Sequence, residues 1–262
     1  MPNGQENRQF HIAMRLSFDG TRYHGWQRQK NAVTVQETVE TALFRALGEE
    51  ITVQGCGRTD AGVHALDYCA DFFTDCRIPP ERLPFAVNAE LPPDIAVKSA
   101  GYAAPDFNSV LSCVKKEYKY RIFLAKLRDP FETSRSLFYP YPLRLPQMRE
   151  AARWICGTHD FAALRSVGTE TKTTIRTVHW IELDEYESSL EIRVCANGFL
   201  YNMARAIAGT LLYVSEGKLA PEELPAILES EDRRRAGPTA PPQGLYMNRL
   251  WYGDEASGMP EI

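Results

Sequence analysis

The chain has 262 residues, of which 44% are hydrophobic and 24% are charged, and its net charge at pH 7 is -4. This composition is typical of a soluble globular protein with a sizeable core, and no apolar run approaches the ~20 residues of a membrane span. Nor do the six cysteines and five histidines show metal-ligand spacing or a Cys-x-x-Cys pair. The sequence therefore predicts no metal, no disulfide framework and no small-molecule cofactor.

The acidic balance argues against a protein that coats nucleic acid through its overall charge, but three local groups of cations remain. Each group alone is more often a solvated face, whereas several on one folded unit would form a phosphate-binding groove. The groups are Arg22, Arg28, Lys30 and Arg58; Lys115, Lys116, Lys119 and Arg121; and Arg233, Arg234 and Arg235.

The first segments of the chain have clear local patterns. Residues 1–9 are polar and lack a signal-peptide core, which predicts a disordered tail and a cytoplasmic protein. Alternating apolar residues predict a strand over 10–18. Loop 23–29 combines aromatic, amide and cationic side chains, the mixture that binds RNA, although by itself such a segment is more often an ordinary polar loop. A capping box at Thr34 and Glu37 opens a helix that ends before Gly48.

A glycine-rich loop follows a short strand predicted near 51–53. Gly55, Gly57 and Gly62 allow positive φ and the close approach of a ligand. Arg58 and Asp60 lie two positions apart, so in an extended segment they project to the same side. A guanidinium beside a carboxylate keeps it ionised and nucleophilic, although Asp and Gly are also common in ordinary turns.

The remaining segments follow by periodicity. After a strand at 63–73, a helix at 81–91 and a strand at 95–99, the first half has the order of a ferredoxin-like split unit. The second half repeats this order less plainly. Its predicted elements are a strand at 115–123, a helix at 146–156 closed by Gly157, a hairpin of 178–183 with 190–195, and a helix from Asn197 toward Gly217.

Two polar residues in the second half allow alternative interpretations. Arg205 lies between Ala204 and Ala206, an expensive environment for a cation without a partner, unless it reaches the surface by snorkelling. Asp160 could be a second catalytic carboxylate, but we interpret it as a turn or helix cap.

Four motifs resemble the TruA family of tRNA pseudouridine synthases. The most specific is Gly-Arg-Thr-Asp-Ala-Gly-Val-His-Ala at 57–65. The others are Asp-Gly-x-x-Tyr-x-Gly-Trp-Gln-x-Gln at 19–29, Lys-x-Tyr-x-Tyr at 116–120 and Ala-Pro-Pro-Gln-Gly-Leu at 240–245. Two departures are Phe18, where a tyrosine is often found, and Asn108-Ser109-Val110, where relatives tend to have His-Ala-Arg. The missing arginine at 110 puts one expected RNA contact in doubt.

The resemblance implies a role for each of these motifs. Asp60 would be the nucleophile, Arg205 its ionic partner and Tyr118 the ring that packs on the target uracil. Leu245 would form the apolar wall of the base pocket, and Arg58 would fill the space that a flipped uridine leaves. Substrate-binding roles are also expected for Gln27, Arg28 and Lys116. Whether attack occurs at C1′ or C6 stays open.

The implied fold is α+β: two ferredoxin-like halves joined into a continuous, mainly antiparallel central sheet flanked by helices. Residues 10–104 would carry the Asp60 loop, and 105–262 the tyrosine, arginine and leucine motifs. The expected substrate is tRNA, at uridines 38, 39 and 40 of the anticodon stem-loop, bound by a homodimer. The alternatives are a catalytically silent tRNA-binding protein or RNA chaperone of the same fold, and a hydrolase that uses Asp60 with Asp160.

Overall fold

A computed structural model describes residues 8–166, 168 and 171–253. The strands are β1 (Phe10–Phe18), β2 (Gln54–Gly55), β3 (His64–Thr74), β4 (Ile95–Tyr102), β5 (Cys113–Leu124), β6 (Leu137–Tyr139), β7 (Gly157–Asp160), β8 (Ile175–Glu185), β9 (Ser189–Ala196) and β10 (Leu245–Tyr252). The helices are α1 (Val35–Leu47), α2 (Leu83–Asn88), α3 (Leu145–Ile155), α4 (Met203–Ser215) and α5 (Leu224–Glu229). Within these ranges no helix has the length and apolarity needed to cross a membrane.

The predicted α+β class, with a mostly antiparallel sheet flanked by helices, is confirmed. The described residues form two compact units, 8–114 with 247–253 and 115–246. The domain division at 104/105 stays a prediction. Of the predicted tail, residues 1–7 lie outside the described part. Arg8 and Gln9 are held in place, because Arg8 donates to the Glu50 carbonyl and the Gln9 N–H donates to Asp75.

The first unit contains the strand order β4-β1-β3-β10, with β2 paired to β3. β1 pairs antiparallel with both β3 and β4, which confirms the predicted strand, although residues on both of its faces are buried. The predicted helix ends of α1 are also confirmed. The Thr34 side chain accepts a hydrogen bond from the Glu37 N–H at 3.4 Å, and Gly48, at φ 74°, donates to the Phe44 carbonyl.

One strand of this unit lies later than predicted. Residues 51–53 are not a strand, although Ile51 and Val53 are buried. Pairing begins at Gln54 and Gly55, opposite Asp71 and Ala70. The alternation of apolar residues correctly indicated that Ile51 and Val53 are buried. It did not show whether their backbone groups pair with another strand, and a strand requires such pairing.

The second unit contains the antiparallel order β5-β9-β8-β7, and β6 pairs parallel with β5. The predicted hairpin is confirmed as β8 and β9. Gly157, at φ 113°, follows the C-cap residue Cys156 of α3, as predicted, and it also opens β7. One predicted helix boundary was wrong: α4 begins at Met203, not at Asn197, because Asn202 takes the left-handed conformation at φ 60°.

Helix α4 packs tightly against the chain that follows α5. A Cβ atom added to Gly209 would lie 1.8 Å from the Pro238 carbonyl oxygen. The Gly237 N–H also donates to the Thr210 hydroxyl, which fixes the same segment to the helix. The absence of a side chain at 209 therefore sets the position of residues 237–240.

We expect Gly209→Ala to lower the free energy of unfolding by about 2–3 kcal/mol, since backbone atoms must move to admit the methyl group. Gly48→Ala is the control: its Cβ would have no neighbour within 4 Å, and only the left-handed backbone should cost about 1 kcal/mol. Urea unfolding of both variants measures the difference. Equal losses would contradict the packing role of Gly209.

Candidate active site

Asp60 occupies the first position of a tight turn in the first unit. The Val63 N–H donates to the Asp60 carbonyl at 3.2 Å, and Gly62 has φ 78° at the third turn position. A turn of this geometry needs glycine there because a Cβ atom is disfavoured at positive φ. Gly55 and Gly57 do not have positive φ. Asp60 is half-buried and Arg58 is exposed.

Three contacts from residues 20–25 fix this turn. The Gly62 N–H donates to the Tyr23 carbonyl at 3.1 Å. The His64 Nδ1 atom lies 3.0 Å from the Gly20 backbone nitrogen, which donates to it, and 3.2 Å from a carboxylate oxygen of Asp19. A Cβ atom on Gly25 would lie 2.1 Å from the Thr59 carbonyl oxygen. The backbone around Asp60 is therefore positioned before any substrate arrives.

An aromatic cluster supports the other end of the loop. Trp26 stacks on Tyr68 with ring centroids 4.2 Å apart, and the Tyr68 hydroxyl donates to the Gly57 carbonyl. A Cβ atom on Gly55 would lie 2.2 Å from that hydroxyl oxygen. Gly55 thus gives room to the two rings, which was not the role expected from its conformational freedom.

Tyr23 also links the turn to the chain before β4. Its buried hydroxyl donates to Asp94 at 2.8 Å. Burial, followed by the hydrogen bond to this carboxylate and its negative charge, raises the pKa of Tyr23 to about 12. The folded state therefore holds this proton more tightly than the unfolded chain, whose tyrosine pKa is about 10.

We expect Tyr23→Phe to lower the free energy of unfolding by about 1–2 kcal/mol at neutral pH, the usual net value of a hydrogen bond to a charged group. Because the folded pKa is raised, the contribution of Tyr23 is fully present below pH ~10 and disappears as the pH rises through about 12. Chemical unfolding at pH 7 to 12 measures the difference between the two proteins. Tyr102→Phe, which alters an exposed residue, is the control; a pH-independent difference for Tyr23→Phe would contradict the assignment.

Arg205 lies in the first turn of α4, in the second unit. Its Nε atom donates to the Ala240 carbonyl at 2.7 Å, and Nη1 donates to the Asn202 side chain at 2.7 Å. The Ala240 N–H donates back to the Arg205 carbonyl. The side chain is half-buried and held at two points. The structure therefore favours a fixed guanidinium over a snorkelling surface arginine.

The tyrosine and leucine motifs lie in the same unit. Tyr118 of β5 is buried and contacts Phe199 edge-on, with ring centroids 4.8 Å apart. Two residues along the same face, the Tyr120 hydroxyl donates to the Pro241 carbonyl. Burial raises the pKa of Tyr120, and the positive charge of Arg205 opposes this rise. Arg205 and Tyr120 bind the carbonyls of the neighbouring residues Ala240 and Pro241.

Gly244, the residue before Leu245, packs against the Tyr120 ring. A Cβ atom on Gly244 would lie 2.8 Å from the Tyr120 ring. Leu245 follows directly and is buried. Lys116 shares the face of Tyr118 and is half-buried. The second unit thus contains Arg205, Tyr118, Leu245 and Lys116, and the first unit contains Asp60 and Arg58. The pairing of Asp60 with Arg205 stays a prediction.

The polar residues of the 23–29 loop are bound to α1. Gln27 donates to the Gln36 side chain at 2.8 Å, and the Arg28 guanidinium pairs with the buried Glu40 at 2.7 Å. Burial raises the pKa of Glu40, and the charge of Arg28 opposes this effect. These contacts give Gln27 and Arg28 a structural role, and their predicted contact with RNA remains a prediction.

Several of the basic residues grouped in the sequence are paired with carboxylates. Lys119 pairs with Glu191 at 3.2 Å, and Arg121 pairs with Glu132 at 3.0 Å. Arg234 pairs with Asp232 at 2.8 Å. These ion pairs reduce the positive potential expected from the second and third clusters. Arg58 differs, because within the described ranges no ion pair is recorded for it.

The segment that departs from the family pattern is well anchored. Asn108 accepts hydrogen bonds from the N–H groups of Val110 and Leu111. The Ser109 N–H donates to the buried Asp71 at 2.9 Å, and its carbonyl accepts from Tyr252. Asp71 is also bound to His11 at 3.0 Å. The missing arginine therefore leaves an ordered turn, with Val110 partly exposed.

The family model described as tRNA pseudouridine synthase matches residues 14–110 and 151–252. The chain is 46% identical over 237 residues to tRNA pseudouridine synthase A of a Thermoanaerobacter species, and the alignment covers 90% of this chain and 97% of the relative.

This chain belongs to the tRNA pseudouridine synthase family.

Two further relatives support this assignment. tRNA pseudouridine synthase A of Caldicellulosiruptor bescii is 45% identical over 241 residues, which cover 92% of this chain and 99% of the relative. The protein of the same name from Bacillus subtilis is 42% identical over 239 residues, covering 90% and 97%. The family predicted from the four motifs is confirmed.

For a tRNA pseudouridine synthase, the structure adds positioning residues that the sequence analysis missed. Tyr23 and His64 hold the Asp60 turn, and Asn202 holds Arg205. His64 lies in the quoted signature, so its presence there was a usable signal. Asn202 gave no comparable signal, since its role depends on a left-handed backbone before α4.

Proposed function

We propose that Asp60 is the nucleophile with which this tRNA pseudouridine synthase isomerises uridine to pseudouridine, and that the anticodon stem-loop is its site of action. Membership of the tRNA pseudouridine synthase family supports the reaction and the tRNA substrate. The observation that carries the assignment to Asp60 is its place in the family signature, on a turn fixed by Tyr23 and His64.

The reaction breaks the bond between N1 of uracil and C1′ of the ribose, turns the base and joins C5 to C1′. C5 loses its proton and N1 gains one, so atoms and electrons balance without an oxidant or an energy donor. An ionised carboxylate at 60 can attack either C1′ or C6. The detached base must be held in a closed pocket, and Tyr118 with Leu245 offers a buried aromatic and aliphatic surface for this.

Arg205 would stabilise the charge of Asp60 and of the transition state. Its guanidinium is already fixed by Ala240 and Asn202, so little rearrangement is needed during the reaction. A uridine in a stem must first be flipped out of the stack, at a cost of a few kcal/mol. Arg58, exposed in the same loop as Asp60, is suited to contact the vacated backbone.

The experiment that tests this function is incubation of the purified protein with unmodified tRNA, followed by mapping of pseudouridine at single-nucleotide resolution. We expect the modification at one or more of uridines 38, 39 and 40. Pseudouridine elsewhere in the tRNA would keep the reaction and overturn the proposed site. Tight tRNA binding without any pseudouridine would favour a silent binding protein or chaperone.

The hydrolase alternative loses support from the environment of Asp160. One oxygen accepts the Ala162 N–H at 2.8 Å, and the other accepts the Thr174 hydroxyl at 2.7 Å. One oxygen therefore holds the following turn, the role predicted for Asp160, and the other anchors Thr174. A general acid or base would need one of them available to substrate.

Two proposals concern the state of the protein. We propose a homodimer, as the family resemblance implies, and Leu127 at 83% exposure and Phe131 at 85% in the loop after β5 are apolar side chains that a second copy could cover. Light scattering of the purified protein tests this. A cytoplasmic location also remains a proposal, consistent with a tRNA substrate.

A further inference from the structure

The first unit contains a cleft of about 470 Å³ beside the Asp60 loop. We call it the Arg58 cleft. Its lining includes Trp26, Gln54, Gly57, Arg58, Phe72 and Val110. The volume lies within the range of pockets that hold small organic groups. The proposed chemistry uses Asp60, Tyr118, Leu245 and Arg205, and of the residues that line this cleft it uses Arg58 alone.

The lining of the Arg58 cleft combines an accessible apolar side chain with polar groups. Val110 is 42% exposed at the cleft, whereas Phe72 and Trp26 are each 2% exposed and offer little surface to a ligand. Gln27 and Gln36 add amides to the lining. An unstacked nucleobase can contact an aliphatic side chain with its face and hydrogen-bond to amides with its edge.

The hydrogen bonds of Gln36 determine which group Gln27 can offer. Gln36 donates to Glu40 and to the Val53 carbonyl, so its side-chain oxygen must be the acceptor. That oxygen accepts from the Gln27 amide nitrogen. The Gln27 oxygen is therefore left as an acceptor. It can bind an N–H donor on a base edge.

The position of the cleft identifies the occupant. Gly57 and Arg58 line the cleft, and they belong to the same loop as Asp60, two residues away from Arg58. An RNA strand whose target uridine lies at Asp60 would pass this cleft with an adjacent nucleotide. The exposed Arg58 can bind the phosphate between the two nucleotides.

We propose that the Arg58 cleft receives the base of a nucleotide next to the target uridine, and that Val110 helps to determine which base is accepted. This inference rests on the proposed function, because the target uridine must lie at Asp60. Val110 is held at the cleft by the hydrogen bonds of Asn108, so a larger side chain at this position would enter the cleft.

The test is a double-mutant cycle between protein and RNA. The substrates are an anticodon stem-loop RNA and a series in which one nucleotide near the target is abasic. For the wild type, we expect one abasic position to raise KM about tenfold. For Val110→Trp, KM with intact RNA should rise by a similar factor, and the abasic change should add nothing. Leu111→Trp is the matched control, since Leu111 is 83% exposed and does not line the cleft.

Two further measurements test the proposal even if Val110→Trp does not fold. Gln54→Ala removes an exposed cleft side chain with little risk to folding, and it should weaken the same abasic effect. The fluorescent base 2-aminopurine, placed at the sensitive position, should become unstacked on binding to the wild type but not to Val110→Trp.

Additive effects at every position, or no effect of any abasic nucleotide, would overturn the cleft proposal while leaving pseudouridine formation intact. Absence of pseudouridine from intact RNA with the wild type would instead overturn the proposed function itself. The two failures are therefore distinguishable.

Discussion

Asp60→Asn is expected to reduce pseudouridine formation at least a thousandfold, since an amide of the same size cannot act as the nucleophile. The turn should survive the change. It is held by the Asp60 carbonyl, the Tyr23 carbonyl and the His64 ring, none of which is altered. The affinity for tRNA should therefore stay within about threefold of the wild type.

The measurement is single-turnover pseudouridine formation on a tRNA transcript, with the dissociation constant determined separately. Asp106→Asn is the matched control, because Asp106 is an exposed carboxylate of the same unit. It should keep wild-type activity. If Asp60→Asn retained a tenth of the wild-type rate, the nucleophile would have to be another group.

Arg205→Ala is expected to lower kcat at least about a hundredfold, the usual cost of removing one preorganised electrostatic group. The dissociation constant for tRNA should change much less. Arg205→Lys should be nearly as inactive, because an ammonium group cannot donate in the fork geometry that binds Ala240 and Asn202. The result would separate an arginine that acts on the reaction from one that anchors phosphate.

The same two assays apply to this variant. Arg153→Ala, in α3 of the same unit, removes an exposed arginine and is the control. Equal losses of kcat/KM and of tRNA affinity at unchanged kcat would show that Arg205 only binds the RNA backbone. Asn202→Ala should give a smaller loss of kcat than Arg205→Ala, since it frees one of the two fixed points of the guanidinium.

The sequence predicted the parts of the fold that depend on neighbouring residues. The Thr34 cap and Gly48 fixed the ends of α1, and alternation gave β1 and the β8–β9 hairpin. The family signature identified the Asp60 loop. In each case the information lies within one turn or one strand, so no distant contact is needed.

The sequence did not predict features that depend on distant partners. β10 was treated only as a pocket motif, yet its Leu250 N–H donates to the buried Asp67 of β3. Likewise, Lys119 and Arg121 looked like an RNA-binding cluster until Glu191 and Glu132 were placed beside them. The periodicity of a strand indicates which of its faces is buried. It does not show which carboxylates from other segments will lie beside its lysine and arginine side chains.

For this protein, the sequence alone determined the family, the class of fold and the residues proposed for catalysis, because short motifs of neighbouring residues identify all three. Only the tertiary structure decided that Asn202 fixes Arg205, that Gln36 orients Gln27, and that a cleft opens beside Arg58. The physical reason is that hydrogen-bond partners and cavities arise between segments far apart in the chain, where burial and register decide which groups meet.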